Sequence, residues 1–243
     1  MAFWRTLRPG WYLLLAAVVY GVVVTVLLAG QRSELRELRQ RSDAPPAAQP
    51  PAAAQSSDDR GLWFPIPGAE LPDNPAHLPG SPRPYRQGAS EGFDFYDGDS
   101  GVPVPYGAAV IAAAAGTLVR VDNAFREADE GEWQRLMSAV ADGADDDELD
   151  RLRGRQVWLE IEDGRLLRYA HLSAIRDGLS EGQPVQRGTV IGFVGNSGTD
   201  EGVAGTRRGS RLHFEIWGDD GYFGEGMDAD EVHIAAATVF TGP

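Results

Sequence analysis

Gly209-Ser210-Arg211-Leu212-His213-Phe214-Glu215-Ile216-Trp217 decides how the chain is read. A glycine leads into a run in which Arg211, His213 and Glu215 alternate with apolar residues. That is the period-two pattern of a strand with one face turned from the core. A strand histidine two residues from a second polar side chain on the same face is a common way to build a zinc site. Here arginine holds the first of the two positions, and a guanidinium is a fixed cation with no lone pair to give.

Outward from this strand, the same alternation recurs. It is present in Gly92-Phe93-Asp94-Phe95-Tyr96, in Gly116-Thr117-Leu118-Val119-Arg120-Val121 and in Thr189-Val190-Ile191-Gly192-Phe193-Val194. Gln156 to Glu162 and Arg165 to His171 flank Asp163-Gly164, a strong short-range hairpin signal. Short, evenly spaced strands rich in glycine predict a mainly β body, an antiparallel sandwich or barrel. Residues 124–155 break the pattern. Trp133, Leu136, Met137 and Val140 fall at i, i+3, i+4 and i+7, and Asp145-Asp146-Asp147-Glu148 precedes a second short helix with Leu149 and Leu152. This reads as an acidic helical hairpin inserted between two strands. Its Trp133 stripe either packs on the body or partner helix, or forms a docking surface or a lid over a groove, and it is the candidate for partner contact. The acidic run lacks the glycine and spacing of a calcium loop.

Trp11 to Ala29 is a 19-residue stretch without a charge. As a helix it would reach about 28 Å, near the hydrocarbon thickness of a bilayer. It is longer than the apolar region of a usual signal peptide, and no A-x-A site follows. A retained transmembrane anchor over 11–30 is the expectation, after a short N-terminal tail, 1–10. Arg32, Arg36, Arg39 and Arg41 follow the span against Arg5 and Arg8 before it, so the arginine count alone favours a cytoplasmic C-terminal side. Residues 31–60 read as a juxtamembrane helix and a Pro/Ala-rich linker.

The chain has 243 residues, no cysteine and no lysine, and all 22 basic residues are arginine. Disulfides, thiol chemistry and every lysine-tethered cofactor are therefore excluded. The net charge of -14 argues against binding nucleic acid through its phosphates.

Three segments carry a resemblance. They are Ser90-Glu91-Gly92-Phe93-Asp94, Tyr169-Ala170-His171-Leu172 and Arg211-Leu212-His213-Phe214-Glu215, with Glu181 to Gly198 between the last two. In this order they resemble the lysostaphin/LytM-type zinc metallopeptidases, which cut peptide bonds in bacterial peptidoglycan and carry H-x-x-x-D, then Y-x-H-L, then H-L-H-F-E. The resemblance runs from about Phe64 to Trp217. It implies metal ligands at Ser90, Asp94 and His213, and catalytic imidazoles at the positions of His171 and Arg211. One ligand and one catalytic histidine are thus replaced, by Ser90 and Arg211, and a serine hydroxyl is a poor substitute for imidazole at zinc. Arg211 is expected to pair with Asp94 or Glu91 across the metal position, and Glu91, Tyr169 and Glu215 to belong to the groove.

The expectation is a membrane-anchored, LytM-like domain over 61–218, followed by a C-terminal tail, 219–243. Its site would be degenerate, with no cofactor. It would bind peptidoglycan or regulate cell-wall hydrolases. The alternative is an active zinc endopeptidase with an altered ligand set. Because the substrate of the resembled family lies outside the cytoplasmic membrane, the domain is placed on the extracytoplasmic side, against the arginine count.

Overall fold

A computed structural model describes residues 61–242. The expected anchor, juxtamembrane helix and linker lie outside the described residues. Among the described residues no helix is long and apolar enough to cross a membrane.

The strands in chain order are β1 Pro82–Arg83, β2 Gly88–Ala89, β3 Phe93–Tyr96, β4 Ala109–Ile111, β5 Gly116–Val121, β6 Val157–Ile161, β7 Leu166–Ala170, β8 Ala174–Ile175, β9 Pro184–Val185, β10 Val190–Phe193, β11 Arg211–Gly218 and β12 Gly221–Tyr222. The helices are α1 Glu130–Ala139, α2 Asp146–Arg153, α3 Asp200–Val203 and α4 Ala229–Val239. A seven-stranded antiparallel sheet runs β12-β11-β7-β6-β5-β9, with β3 also paired to β11. A three-stranded sheet runs β4-β10-β8, and β1 pairs with β2. The expectation of antiparallel β structure holds. No sheet among the described residues closes into a barrel, because edge strands such as β9 and β12 are only two residues long.

The two larger sheets share one core. Val110 and Ile191 from the smaller meet Leu118, Leu159, Leu167 and Phe214 from the larger, all fully buried. Tyr169 is buried in the same core, where its hydroxyl accepts the Ala113 N–H at 2.9 Å. Its place in the groove is therefore corrected. Strand alternation turns Tyr169 to the core side with Phe214, its cross-strand partner, while Arg168 faces the other way beside Glu215. The β6–β7 hairpin turns at Gly164, whose φ of 87° needs glycine.

Residues 219–242 are not a tail. α4 opens with a capping box between Asp228 and Glu231, and it sinks Val232 and Ala236 into the core. Phe240 stacks on Phe64 with ring centroids 4.5 Å apart. The sequence signal was weak because most of the helix is alanine and short polar residues.

The insertion between β5 and β6 is two helices, each opened by a capping box, Asp129 with Glu132 and Asp145 with Glu148. Trp133, Leu136, Val140 and Leu152 form a second hydrophobic cluster, with Met137 and Leu149 against it. The stripe is thus the insertion's own core. As docking residues Leu136 and Val140 are corrected, because they are buried in holding the helix pair together, while Trp133 and Met137 keep a face on the groove described below.

Candidate functional site

The site is built on the polar face of β11. Alternation puts Arg211, His213 and Glu215 on that face, while Leu212, Phe214 and Ile216 enter the core. The register of β3 sets Asp94 directly opposite His213, and that of β7 sets Arg168 opposite Glu215. Past the end of β7, His171 takes a left-handed φ of 58°, which bends its ring back over the same face. The residues that the resemblance singled out thus meet in one place, along a groove of about 360 Å³. Ser90, Glu91, Asp94, His171, Arg211, His213 and Glu215 all line it.

Their atoms are committed to one another. Asp94 Oδ1 accepts from Arg211 Nε at 3.1 Å and from His213 Nδ1 at 2.8 Å. Asp94 Oδ2 accepts from Arg83 Nη2 at 2.7 Å. Arg211 Nη2 also donates to His171 Nε2 at 2.7 Å, and His171 Nδ1 donates to the Ser197 carbonyl at 2.7 Å. Glu215 receives Arg153 Nε at 2.5 Å, Trp217 Nε1 at 2.6 Å, His213 Nε2 at 3.2 Å and Arg168 Nη1 at 3.3 Å. Arg153 Nη2 reaches Glu91 as well. Ser90, 1% exposed, turns its hydroxyl to the Gly92 carbonyl at 3.1 Å.

Partners fix the two imidazoles in opposite states. His171 faces a carbonyl on one side and a guanidinium on the other, so Nδ1 carries the proton and Nε2 accepts. Burial first, and then Arg211, push its pKa well below the ordinary histidine value. His213 faces a carboxylate oxygen at each nitrogen, at 2.8 and 3.2 Å, a setting that favours the imidazolium. Burial opposes this charge, but Asp94 and Glu215 outweigh it and its pKa is raised. Burial likewise works against the Asp94 and Glu215 charges. The surrounding cations, His213 among them, override it and hold both carboxyls below the usual range. At Glu91 burial wins, and its pKa is raised despite Arg153.

This donor set does not fit a zinc ion. Both Asp94 oxygens accept from guanidiniums, and the Ser90 hydroxyl points at a backbone carbonyl. A dication held about 4 Å from one guanidinium would be repelled by about 8 kcal/mol at an effective dielectric constant near 20. Two guanidiniums, Arg83 and Arg211, already lie on Asp94. Among the described residues no group of three or more His, Cys, Asp or Glu is placed to hold a metal.

Sequence reasoning missed Arg83, Arg153 and Arg168. Arg83 lies in a proline-rich entry segment with no periodicity to mark it. Arg153 looks like the solvated basic last turn of a helix, yet it is 8% exposed. Arg168 could have been found: its alternation with Tyr169, set against that of Glu215 with Phe214, places opposite charges on one sheet face. It also lies between Trp158 and Trp217, at 4.2 and 4.5 Å from the ring centroids.

An antiparallel β-sheet domain with an Asp–His pair and a second histidine on one groove is the class that fold and site define. The chain belongs to peptidase family M23, which matches residues 100–224. That match contains His171, Arg211, His213 and Glu215. Ser90 and Asp94 precede it, and Asp94 joins the site through the β3–β11 register. Among solved structures, a zinc-containing peptidase from Vibrio cholerae is 20% identical over 70% of this chain and 40% of its own, with a TM-score of 0.43. The catalytic domain of lysostaphin from Staphylococcus simulans is 20% identical over 60% of this chain and 82% of its own, with a TM-score of 0.37. A mutant catalytic domain of the prophage-encoded M23 protein EnpA from Enterococcus faecalis is 19% identical over 70% and 95%, with a TM-score of 0.37. This chain therefore spans about two fifths of the length of the Vibrio cholerae protein. No curated protein matches it.

Proposed function

We propose that this M23 domain binds bacterial cell-wall peptide material without cutting it, and that its site works without metal. The observation that carries this reading is the double occupation of Asp94 by Arg83 and Arg211. A metallopeptidase needs three ligands, an open water position and a Lewis acid to lower the water's pKa. Here the residues at two ligand positions serve as charge partners, and the third is Ser90. What the groove retains is recognition. It offers the partly exposed guanidiniums of Arg83 and Arg211 beside the partly exposed Glu91 carboxylate, which suits the donors and acceptors of a peptide.

The domain would be held at the cell membrane by residues 11–30, on the extracytoplasmic side, and could act by docking on a genuine hydrolase as well as on the wall. Incubating the full-length chain with purified peptidoglycan tests the reading. The expected result is co-sedimentation with the insoluble wall and no release of soluble muropeptides, with or without added zinc. Release that disappears in His213→Ala would establish the endopeptidase alternative instead.

A further inference from the structure

The insertion is fastened to the rest of the domain at three separate points. Gln87 Nε2 donates to the Ala141 carbonyl at 3.0 Å. The Trp133 indole N–H is bonded to Asp200, and both residues line the groove. At the floor, Arg153 from the last turn of α2 bridges Glu91 and Glu215. The root of the insertion is fastened by backbone contact. A Cβ on Gly198 would lie 2.5 Å from the Gly154 nitrogen, and His171 N–H donates to the Arg153 carbonyl at 2.8 Å. The insertion is therefore held against the domain and forms part of the groove wall.

That wall is apolar where the rest of the groove is charged. Trp133, Met137, Leu149 and Leu152 of the insertion line the same groove as Arg83, Arg211, Glu91 and Glu215. Trp133 and Leu152 are each 9% exposed, and Met137 and Leu149 are half-buried. A cavity of about 360 Å³ is too small for a folded partner and suits one extended segment of chain.

We infer that the insertion supplies an apolar side-chain subsite, so that the groove selects a peptide carrying a leucine-sized apolar side chain next to a hydrogen-bonding backbone. This rests on the peptide-binding reading above and adds a specificity to it. The charged floor holds backbone and terminal groups, and the insertion wall receives the side chain. Burying a leucine-sized side chain against such a wall is worth at least about a tenfold gain in affinity.

Fluorescence anisotropy with the full-length chain tests the subsite, using labelled Ala-Leu-Ala-Ala and Ala-Ser-Ala-Ala as probes. The leucine peptide is expected to bind about tenfold more tightly. Met137→Asp is expected to abolish that preference while the melting temperature stays within a few degrees of wild type. Leu149→Asn is a second variant should Met137→Asp fail to fold. Equal affinity for the two peptides, or a preference that survives both variants, overturns the inference. Binding of intact peptidoglycan with neither peptide bound also overturns it and leaves the proposed function standing. Binding of neither peptide nor peptidoglycan overturns the proposed function and the inference with it. Self-association of the chain that Met137→Asp abolishes would assign the wall to a second copy and overturn the peptide subsite.

Discussion

Arg211 sits on the polar face of β11 between Asp94 and His171, and its guanidinium does two jobs there. It neutralises buried Asp94, and it donates to His171 Nε2 so that this ring stays neutral. Removing one partner from a buried ion pair leaves an uncompensated charge, at a cost of about 3 kcal/mol or more. Arg211→Ala is therefore expected to lower the unfolding free energy by about that amount, read as a lower denaturant midpoint with an unchanged slope, whereas truncating a solvent-exposed arginine such as Arg126 should leave the midpoint nearly unchanged. At the root of the insertion, Gly198→Ala would place a methyl group against the Gly154 backbone at a φ of +70°. It is expected to cost about 2 kcal/mol in the same measurement.

The insertion is the element where sequence and structure diverge most usefully. Its helices and apolar stripe were legible, because the 3.6 period is a local signal. The destination of the stripe was not, since two helices can bury such a stripe against each other or against a partner with the same spacing. Nor was Arg153 legible as a site residue, because what puts it there is the glycine-to-glycine contact of Gly154 with Gly198, a tertiary event. Leu136→Ala should open the small insertion cluster and leave the main core intact. Amide exchange is expected to speed up across residues 130–153, while β7 and β11 keep their protection. Asp150 ties α2 to β5 through Arg120, at 2.5 and 3.0 Å. Burial raises its pKa, but the bonds from Arg120 and Gln156 outweigh that and hold it below the ordinary aspartate value. Since the folded value is the lower one, this contribution is complete above about pH 4 and is lost as the pH falls through the folded value. The gap in melting temperature between wild type and Asp150→Asn is therefore expected to shrink below about pH 4.

For the molecule as a whole, strand alternation and the Asp163-Gly164 turn made the antiparallel body readable, and the order of three short motifs made the groove readable. The closing helix α4 was hidden because most of its apolar residues are alanines, and the barrel expectation failed because alternation reports which side of a sheet is buried and says nothing of whether its edges meet. The charge distribution was half legible. An acidic chain was evident, but the gathering of Arg83, Arg153, Arg168 and Arg211 around Asp94, Glu91 and Glu215 depends on folding. That cluster makes zinc binding the direct test. The full-length chain, dialysed against a chelator and then equilibrated with equimolar zinc and desalted, is measured for metal by elemental analysis. A site filled by guanidiniums predicts far less than one zinc per chain, unchanged by His213→Ala. One zinc retained per chain, and lost in His213→Ala, would contradict it.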